Sequence, residues 1–324
     1  MIETALTETE RVSVVIYDEP EVTDVPLPVR AGWIRRLYPR VEVIEAWDGP
    51  AVMGDTPEIR TLHEDYLLGT LGLRGITHFY SSEFYGAHVS AALGAVDRRL
   101  DPARSRVPIS ATAIRADPFG QRGFLAPEVY RDLIANVVFL GAPGTGKTTL
   151  AQALAAQHGT RWMPEYGREY WTLHQRDHRL SAEQLVELAE GHLEREDAAL
   201  LDANRWLFTD TNAITTWIFS HYYHGFALPR LDALARAAEQ RHDLIFLCLD
   251  DFPFEDTWDR SGPASRTHMQ KRIVADLRAR RLPFIPLAGD LATRMEKVNA
   301  MLGRFRKWRS PHEHTTLSPQ AGAA

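Results

Sequence analysis

Cysteine is almost absent from this chain: Cys248 is the only one in 324 residues. An intrachain disulfide is therefore excluded, and because Cys248 lies inside the apolar run LIFLCL it reads as a buried strand residue rather than a nucleophile. Long apolar runs are absent too. None approaches the ~18 residues that a membrane-spanning helix requires, and the first residues, MIETALTETERV, are acidic and polar, unlike a secretory leader. Positive charge is not in excess: the formal net charge is −6, which argues against a nucleic-acid partner. No internal repeat is visible. With 44 % apolar residues the chain can fill ordinary cores, and its length suggests two domains. These features together fit a cytoplasmic enzyme, identify no function by themselves, and leave homo-oligomerisation open.

The strongest motif is GAPGTGKTT, Gly141 to Thr149, directly after the apolar run Asn136–Leu140. It fits G-x-x-x-x-G-K-[ST] without a gap, a pattern expected by chance in roughly one chain of this length in a hundred. Glycines at 141, 144 and 146 allow a tight turn whose N–H groups, with those of Thr145 and Thr149, face a phosphate chain. Lys147 reaches the β- and γ-phosphates, and the Thr148 hydroxyl ligates Mg²⁺. The helix that follows adds its positive N-terminal end. The implied cofactors are ATP and Mg²⁺.

Periodicity divides the chain into two α/β blocks: residues 1–133, residues 134–309, and a polar tail at 310–324 that is expected to be disordered. Strand patterns in the first block fall at Val12–Tyr17, Val41–Ala46 and Ile76–Tyr80, with helices near Val29–Leu37, Glu83–Leu93 and Pro127–Leu133. In the second they fall at Asn136–Leu140, Thr160–Met163, Trp206–Thr209, Leu244–Leu249 and Phe284–Leu287. The longest helix is expected over Ser181–Leu201, opened by a Ser181/Gln184 capping box. Strands alternating with helices predict parallel sheets in both blocks.

Acidic residues at other strand ends point to phosphoryl transfer. Glu165, in PEYGREYW, follows the second strand of the second block, at the carboxyl end where open parallel sheets bind ligands. It can take a proton from an attacking hydroxyl or hold the metal. Asp210, in FTDT, ends the third strand and is the natural acid behind the Mg²⁺ held by Thr148. Tyr166, Tyr170 and Trp171 offer aromatic faces for a heteroaromatic base, or pack one helix face on the sheet. The stretch Asp250–Arg272 reads as a lid, with Arg260 and Arg266 placed to neutralise transition-state charge and Lys271 and Arg272 on a solvated helix face.

In the first block, ISATAIR carries S-x-T-x-x-R: Ser110 and Thr112 at a helix N-terminus and Arg115 beyond form either a phosphate site or a plain cap. Set beside YSSEFYG (Tyr80–Gly86), Pro118-Phe119, GAPGTGKTTL, PEYGREYW and FTDT, the segment completes a resemblance. In motif order and spacing the chain resembles the NadR family, the fused nicotinamide-mononucleotide adenylyltransferase and ribosylnicotinamide kinase, over roughly residues 10–305. The resemblance implies an α/β fold of two parallel-sheet domains: an N-terminal nucleotidyltransferase-like Rossmann domain and a C-terminal P-loop kinase domain. It implies MgATP-dependent phosphorylation of the 5′-hydroxyl of nicotinamide riboside. Lys147 and Thr148 would then hold triphosphate and metal, Glu165 and Asp210 would act around the hydroxyl and Mg²⁺, and Tyr166 would shape the substrate pocket.

Some features depart from that family. Its first strand and Gly-rich [HT]-x-G-H segment have no counterpart, since Tyr85-Gly86-Ala87-His88 and Ala189-Glu190-Gly191-His192 do not fit. The N-terminal Rossmann domain is thus expected to be incomplete and to transfer no adenylyl group. The phosphate loop reads Ala142-Pro143 and Thr145 where relatives are often acidic or Ser-rich. EDTWDRSG replaces a shorter Trp-x-x-Asp-Gly, which puts lid contacts of Asp256 and Asp259 in question. No helix-turn-helix segment is present, so repression is not expected. Two other readings remain open: a P-loop kinase for a different nucleoside or metabolite, and a regulatory nucleotide-binding ATPase.

Overall fold

A computed structural model describes residues 1–52, 54–176, 179–251 and 263–309, with only the backbone of 263–265. The described residues divide into two compact units, one of Met1–Phe124 with Trp308 and Arg309, the other of Leu125–Lys307.

The first unit contains two β-α-β pairs. Strands β1 (Ser13–Tyr17) and β2 (Glu42–Ala46) pair in parallel around the helix Leu27–Leu37. Strands β3 (His78–Ser81) and β4 (Val96–Arg99) pair in parallel around the helix Gly86–Leu93. Among the described residues no strand joins the two pairs. The polar strand β4, VDRR, escaped the periodicity reading because it lacks an apolar face. Val14, Val15 and Ile16 of β1 are only half-buried. Behind β1, Tyr17 lies 5.7 Å from the Tyr66 ring, and Tyr66 donates to Asp48 at 2.7 Å.

The second unit is built on one five-stranded parallel sheet of β5 (Ala135–Leu140), β6 (Arg161–Met163), β7 (Trp206–Asp210), β8 (Leu244–Cys248) and β9 (Ile285–Leu287), in the spatial order β6-β7-β5-β8-β9. Strand β5 is central and wholly buried, which is why it reads as a continuous apolar run. Its alternation sends Val137 and Phe139 to one face and Val138 and Leu140 to the other. On the first face Phe139 stacks between Phe208 and Phe246, at 6.2 and 5.7 Å, under the helices Lys147–His158 and Leu291–Arg304. On the second, Ile214 and Ile218 from the helix Ala213–His224 meet Ile273 and Leu277 from the helix Pro263–Ala279. Both faces are thus covered, the arrangement of a doubly wound α/β sheet. The long helix Ala182–Asp202 opens with the expected capping box: Gln184 N–H donates to Ser181 Oγ at 3.2 Å and Ser181 N–H to Gln184 Oε1 at 2.8 Å.

The chain leaves β5 toward β6 and β7 on one side and later reaches β8 and β9 on the other. The carboxyl end of β5 is therefore the point where strand order reverses, the place where open α/β sheets hold ligands. Among the described residues no helix is long and apolar enough to cross a membrane.

Candidate active site

The glycine-rich loop occupies that reversal point. Gly141, Gly144 and Gly146 have φ of +145°, +73° and +80°, backbone shapes that side chains resist. At Gly141 space is short as well: a Cβ would stand 2.6 Å from the Cys248 carbonyl oxygen of β8. Cys248 is buried, and burial pushes its thiol up to about 11, so it serves packing. The Thr145 hydroxyl, fully buried, donates to Ala142 O at 2.8 Å and closes the loop on itself. Lys147, also buried, donates through Nζ to Gly141 O at 3.0 Å and Ala142 O at 3.1 Å. Its ammonium thus lies against the loop backbone. Thr148 and Thr149 are exposed in the first turn of the helix Lys147–His158.

Strand β7 delivers Asp210 beside the loop. The Thr148 hydroxyl donates to Asp210 Oδ2 at 2.5 Å. Asp210 is 0 % exposed, and its other oxygen, Oδ1, is buried without a hydrogen-bond partner among the described residues. Burial pushes the Asp210 carboxyl up to about 6, helped by the charge of Glu165 and opposed by Lys147, the Thr148 hydroxyl and Arg168. Glu165 itself is half-buried at the start of the helix Tyr166–His174, directly after β6, and makes no side-chain cap. Glu165, Asp210, Lys147 and Arg168 therefore share one electrostatic neighbourhood at the ends of β5, β6 and β7. Arg168 was not singled out from sequence, although it lies within the same PEYGREYW motif.

Tyr166, Tyr170 and Arg266 are engaged in the packing of the second unit. Tyr166 packs into a helix interface: a Cβ on Gly191 would meet its ring at 2.6 Å, and the Arg195 guanidinium covers its face at 3.6 Å. An aromatic ring so engaged offers no open face to a substrate base on that side. Tyr170 is core and donates to Glu187. Arg266 is only 6 % exposed, within the helix Pro263–Ala279, rather than on an open lid. It precedes Gln270 by four residues and so shares its helix face. Arg260, Asp256 and Asp259 lie outside the described residues. In the first unit, Ser110 caps the helix Ala111–Ala116 by accepting from Ala113 N–H at 3.0 Å, and Arg115 donates to Thr112 Oγ1 at 3.3 Å. The capping explanation accounts for this motif as it stands.

Residues that the motifs did not reveal hold the loop from behind. Gln270 accepts from Ala142 N–H at 2.8 Å and donates to Cys248 O at 3.0 Å. Arg294, 3 % exposed, donates to Thr145 O at 2.7 Å, Gly289 O at 2.8 Å, Leu249 O at 3.1 Å and Asp251 Oδ1 at 2.5 Å. A sequence signal existed: Arg294, Val298 and Leu302 recur every four residues on one buried stripe, with a charge in an apolar position. Beneath β5 and β7, Asn136 donates to Glu196 Oε1 at 2.5 Å and accepts from Thr209 at 3.0 Å. Glu196 also accepts from Arg241 at 2.6 Å.

A parallel sheet whose strand order reverses at a glycine-rich loop, with a Lys-Thr pair opening the next helix and an Asp on the neighbouring strand, defines the P-loop nucleotide-binding fold; the first unit adds Rossmann-like β-α-β pairs. The AAA domain family matches residues 136–294. The chain is similar to NadR proteins. It is 31 % identical over 216 residues to the trifunctional NAD biosynthesis/regulator protein NadR of Escherichia coli (strain K12), covering 64 % of this chain and 52 % of that protein. Against its namesake from Salmonella typhimurium (strain LT2) it is 30 % identical over 213 residues, covering 63 % and 52 %. The chain thus spans about half the length of the curated relatives it matches. In fold it is similar to a NadR protein crystallised with NAD and AMP-PNP (TM-score 0.53, 19 % identity, 100 % of this chain and 93 % of that one). A NadR protein in complex with NR is also similar (TM-score 0.55, 21 % identity, 93 % and 90 %).

Proposed function

We propose that the P-loop unit transfers the γ-phosphoryl group of ATP to the 5′-hydroxyl of a nucleoside, with nicotinamide riboside as the first candidate. The observation that carries this reading is the meeting of the phosphate loop, the Thr148–Asp210 pair and Glu165 at the carboxyl ends of β5, β7 and β6. A switch protein needs the loop and the metal-side acid; Glu165 adds an acid suited to deprotonating an acceptor.

The residues fit a magnesium ion. Asp210 Oδ1 is a buried carboxylate oxygen without a partner among the described residues, next to a threonine hydroxyl on the phosphate side. Among the described residues no three His, Cys, Asp or Glu gather into a metal cage. That suits Mg²⁺, which keeps waters and phosphate oxygens as ligands and takes few from protein. Thr148 and Asp210 would hold it, and when bound it neutralises charge on the β- and γ-phosphates.

The chain's own groups do the rest. Lys147 exchanges its bonds to Gly141 O and Ala142 O for phosphate oxygens, bringing its charge to the group in flight. Glu165 takes the proton of the attacking hydroxyl, and the γ-phosphoryl group passes from ATP to that oxygen, with ADP as the leaving group. Arg266, on the Gln270 face of its helix, supplies positive charge toward the same loop.

The test is an ATP-to-ADP assay with Mg²⁺, with and without nicotinamide riboside, following the mononucleotide by chromatography. The expected result is one mononucleotide per ADP. ADP release indifferent to every nucleoside offered would move the assignment to a regulatory ATPase. Arg195 covers one face of Tyr166 whatever the base, so nicotinamide riboside and another nucleoside both stand as acceptors. The same assay with a panel of nucleosides separates the two.

A further inference from the structure

We infer that Arg294 and Gln270 are positioning residues that hold the phosphate loop in its phosphate-binding shape before any nucleotide arrives. The inference rests on the reading of this loop as a triphosphate site. Neither side chain belongs to the loop motif; they reach it from the helices Leu291–Arg304 and Pro263–Ala279.

The argument turns on peptide geometry. A trans peptide is planar, so its C=O and the following N–H point in opposite directions. No peptide bond among the described residues is cis. Arg294 draws the Thr145 carbonyl toward its guanidinium at 2.7 Å. The Gly146 N–H of that same peptide must then face away from Arg294, into the loop. Gln270 does the complementary thing at the other end. It accepts the Ala142 N–H at 2.8 Å, which turns the Gly141 carbonyl the opposite way, and Lys147 Nζ is found on that carbonyl at 3.0 Å. Two peptide planes of the loop are thus set by side chains from outside it.

Both side chains are themselves anchored. Gln270 donates to Cys248 O at the end of β8. Arg294 bonds Leu249 O and Asp251 just beyond β8, and Gly289 O just beyond β9. Asp251 also accepts from Gly289 N–H at 2.5 Å. One buried guanidinium therefore ties three loops at the carboxyl edge of the sheet to one frame. A lysine keeps the charge but cannot span four acceptors in a planar fork. Misplacement of a binding group by about 1 Å can cost on the order of 100-fold.

Arg294→Lys, Arg294→Met and Gln270→Met in the full chain test this with two readouts. The first is hydrogen–deuterium exchange of residues 141–149 without nucleotide, relative to β7. The second is the Kd for ATP with Mg²⁺. Faster exchange confined to the loop is expected, with Kd raised about 10-fold or more and Arg294→Lys rescuing only part of it. Unchanged loop exchange and Kd in folded variants would overturn the inference, as would faster exchange spread evenly over β5, β7 and β8. Should Arg294→Met not fold, Arg294→Lys and Gln270→Met decide. Parent protein that binds no ATP would sink the kinase reading instead, and the ligand-free exchange experiment would still decide the positioning role.

Discussion

The Thr148 hydroxyl donates to Asp210 Oδ2 at 2.5 Å, while Oδ1 of the same buried carboxylate has no hydrogen-bond partner among the described residues. The two residues are 62 positions apart in sequence, and parallel pairing of β7 with β5 brings them together. One carboxylate oxygen orients the threonine and the other stays available. Replacing Asp210 by Asn keeps the shape and removes the charge. Turnover is expected to fall about 10- to 100-fold, the usual range for groups that orient a metal's ligands. The Mg²⁺ concentration giving half-maximal rate should rise. A magnesium titration of both proteins checks this, and an unchanged midpoint would remove Asp210 from the metal side.

The same carboxyl sets a pH dependence. Burial first, then Glu165, holds Asp210 at about 6 against an ordinary value of 3.8. Because the charged form is the useful one, Mg²⁺-dependent nucleotide binding should weaken as pH falls through about 6. Stability runs the other way. The folded value lies above the unfolded one, so stability drops as pH rises from about 4 to about 6, and the full cost is present at pH 7. A shift of about two units corresponds to roughly 3 kcal/mol, so Asp210→Asn should be more stable at neutral pH by up to that amount. Thermal melts from pH 4 to 8 read the sign directly.

Lys147 carries the charge that strengthens its interaction as the transition state forms. Lys147→Ala should abolish detectable phosphoryl transfer. Far-ultraviolet circular dichroism should be unchanged, because Nζ bonds to carbonyls of its own loop rather than to another element among the described residues. Turnover near that of the parent would dismantle the kinase assignment.

Glu196 is a structural counterpart to Asp210: equally buried, oppositely shifted. Burial alone would raise its carboxyl, but His242, Arg241 and His192 beside it bring it down to about 2. A folded value below the unfolded one contributes stability above pH 4.5, and that contribution is lost as pH falls toward about 2. At roughly 1.4 kcal/mol per unit, it is worth about 3 kcal/mol at neutral pH. Glu196→Gln should destabilise by that order in urea unfolding at pH 7 and by much less near pH 3. Equal losses at both pH values would assign its role to packing.

Much of the second unit was legible because its cues are local. β5 is a buried central strand and therefore an apolar run. The capping box at Ser181 and Gln184 satisfies N–H groups within one turn, and the loop glycines announce positive φ wherever they stand. Asp210 and Glu165 could be read as strand-end acids because parallel sheets place ligands at one edge. The strand β4 was not legible, since VDRR has no apolar face and gains its place only from pairing with β3. The partners of Tyr166, Gly191 and Arg195, were not legible either, because they come from another helix.

The sequence by itself determined the phosphate loop, the strands of the second unit and the acids at their ends, because backbone conformation and hydrophobic period are set by near neighbours. Only the tertiary structure decided what holds that loop. Ala142 meets Gln270 and Thr145 meets Arg294 across 128 and 149 residues, and no spacing in the chain encodes those meetings. They arise where helices from both faces of the sheet converge on its carboxyl edge, and there a buried guanidinium can be kept only if every loop around it offers an oxygen.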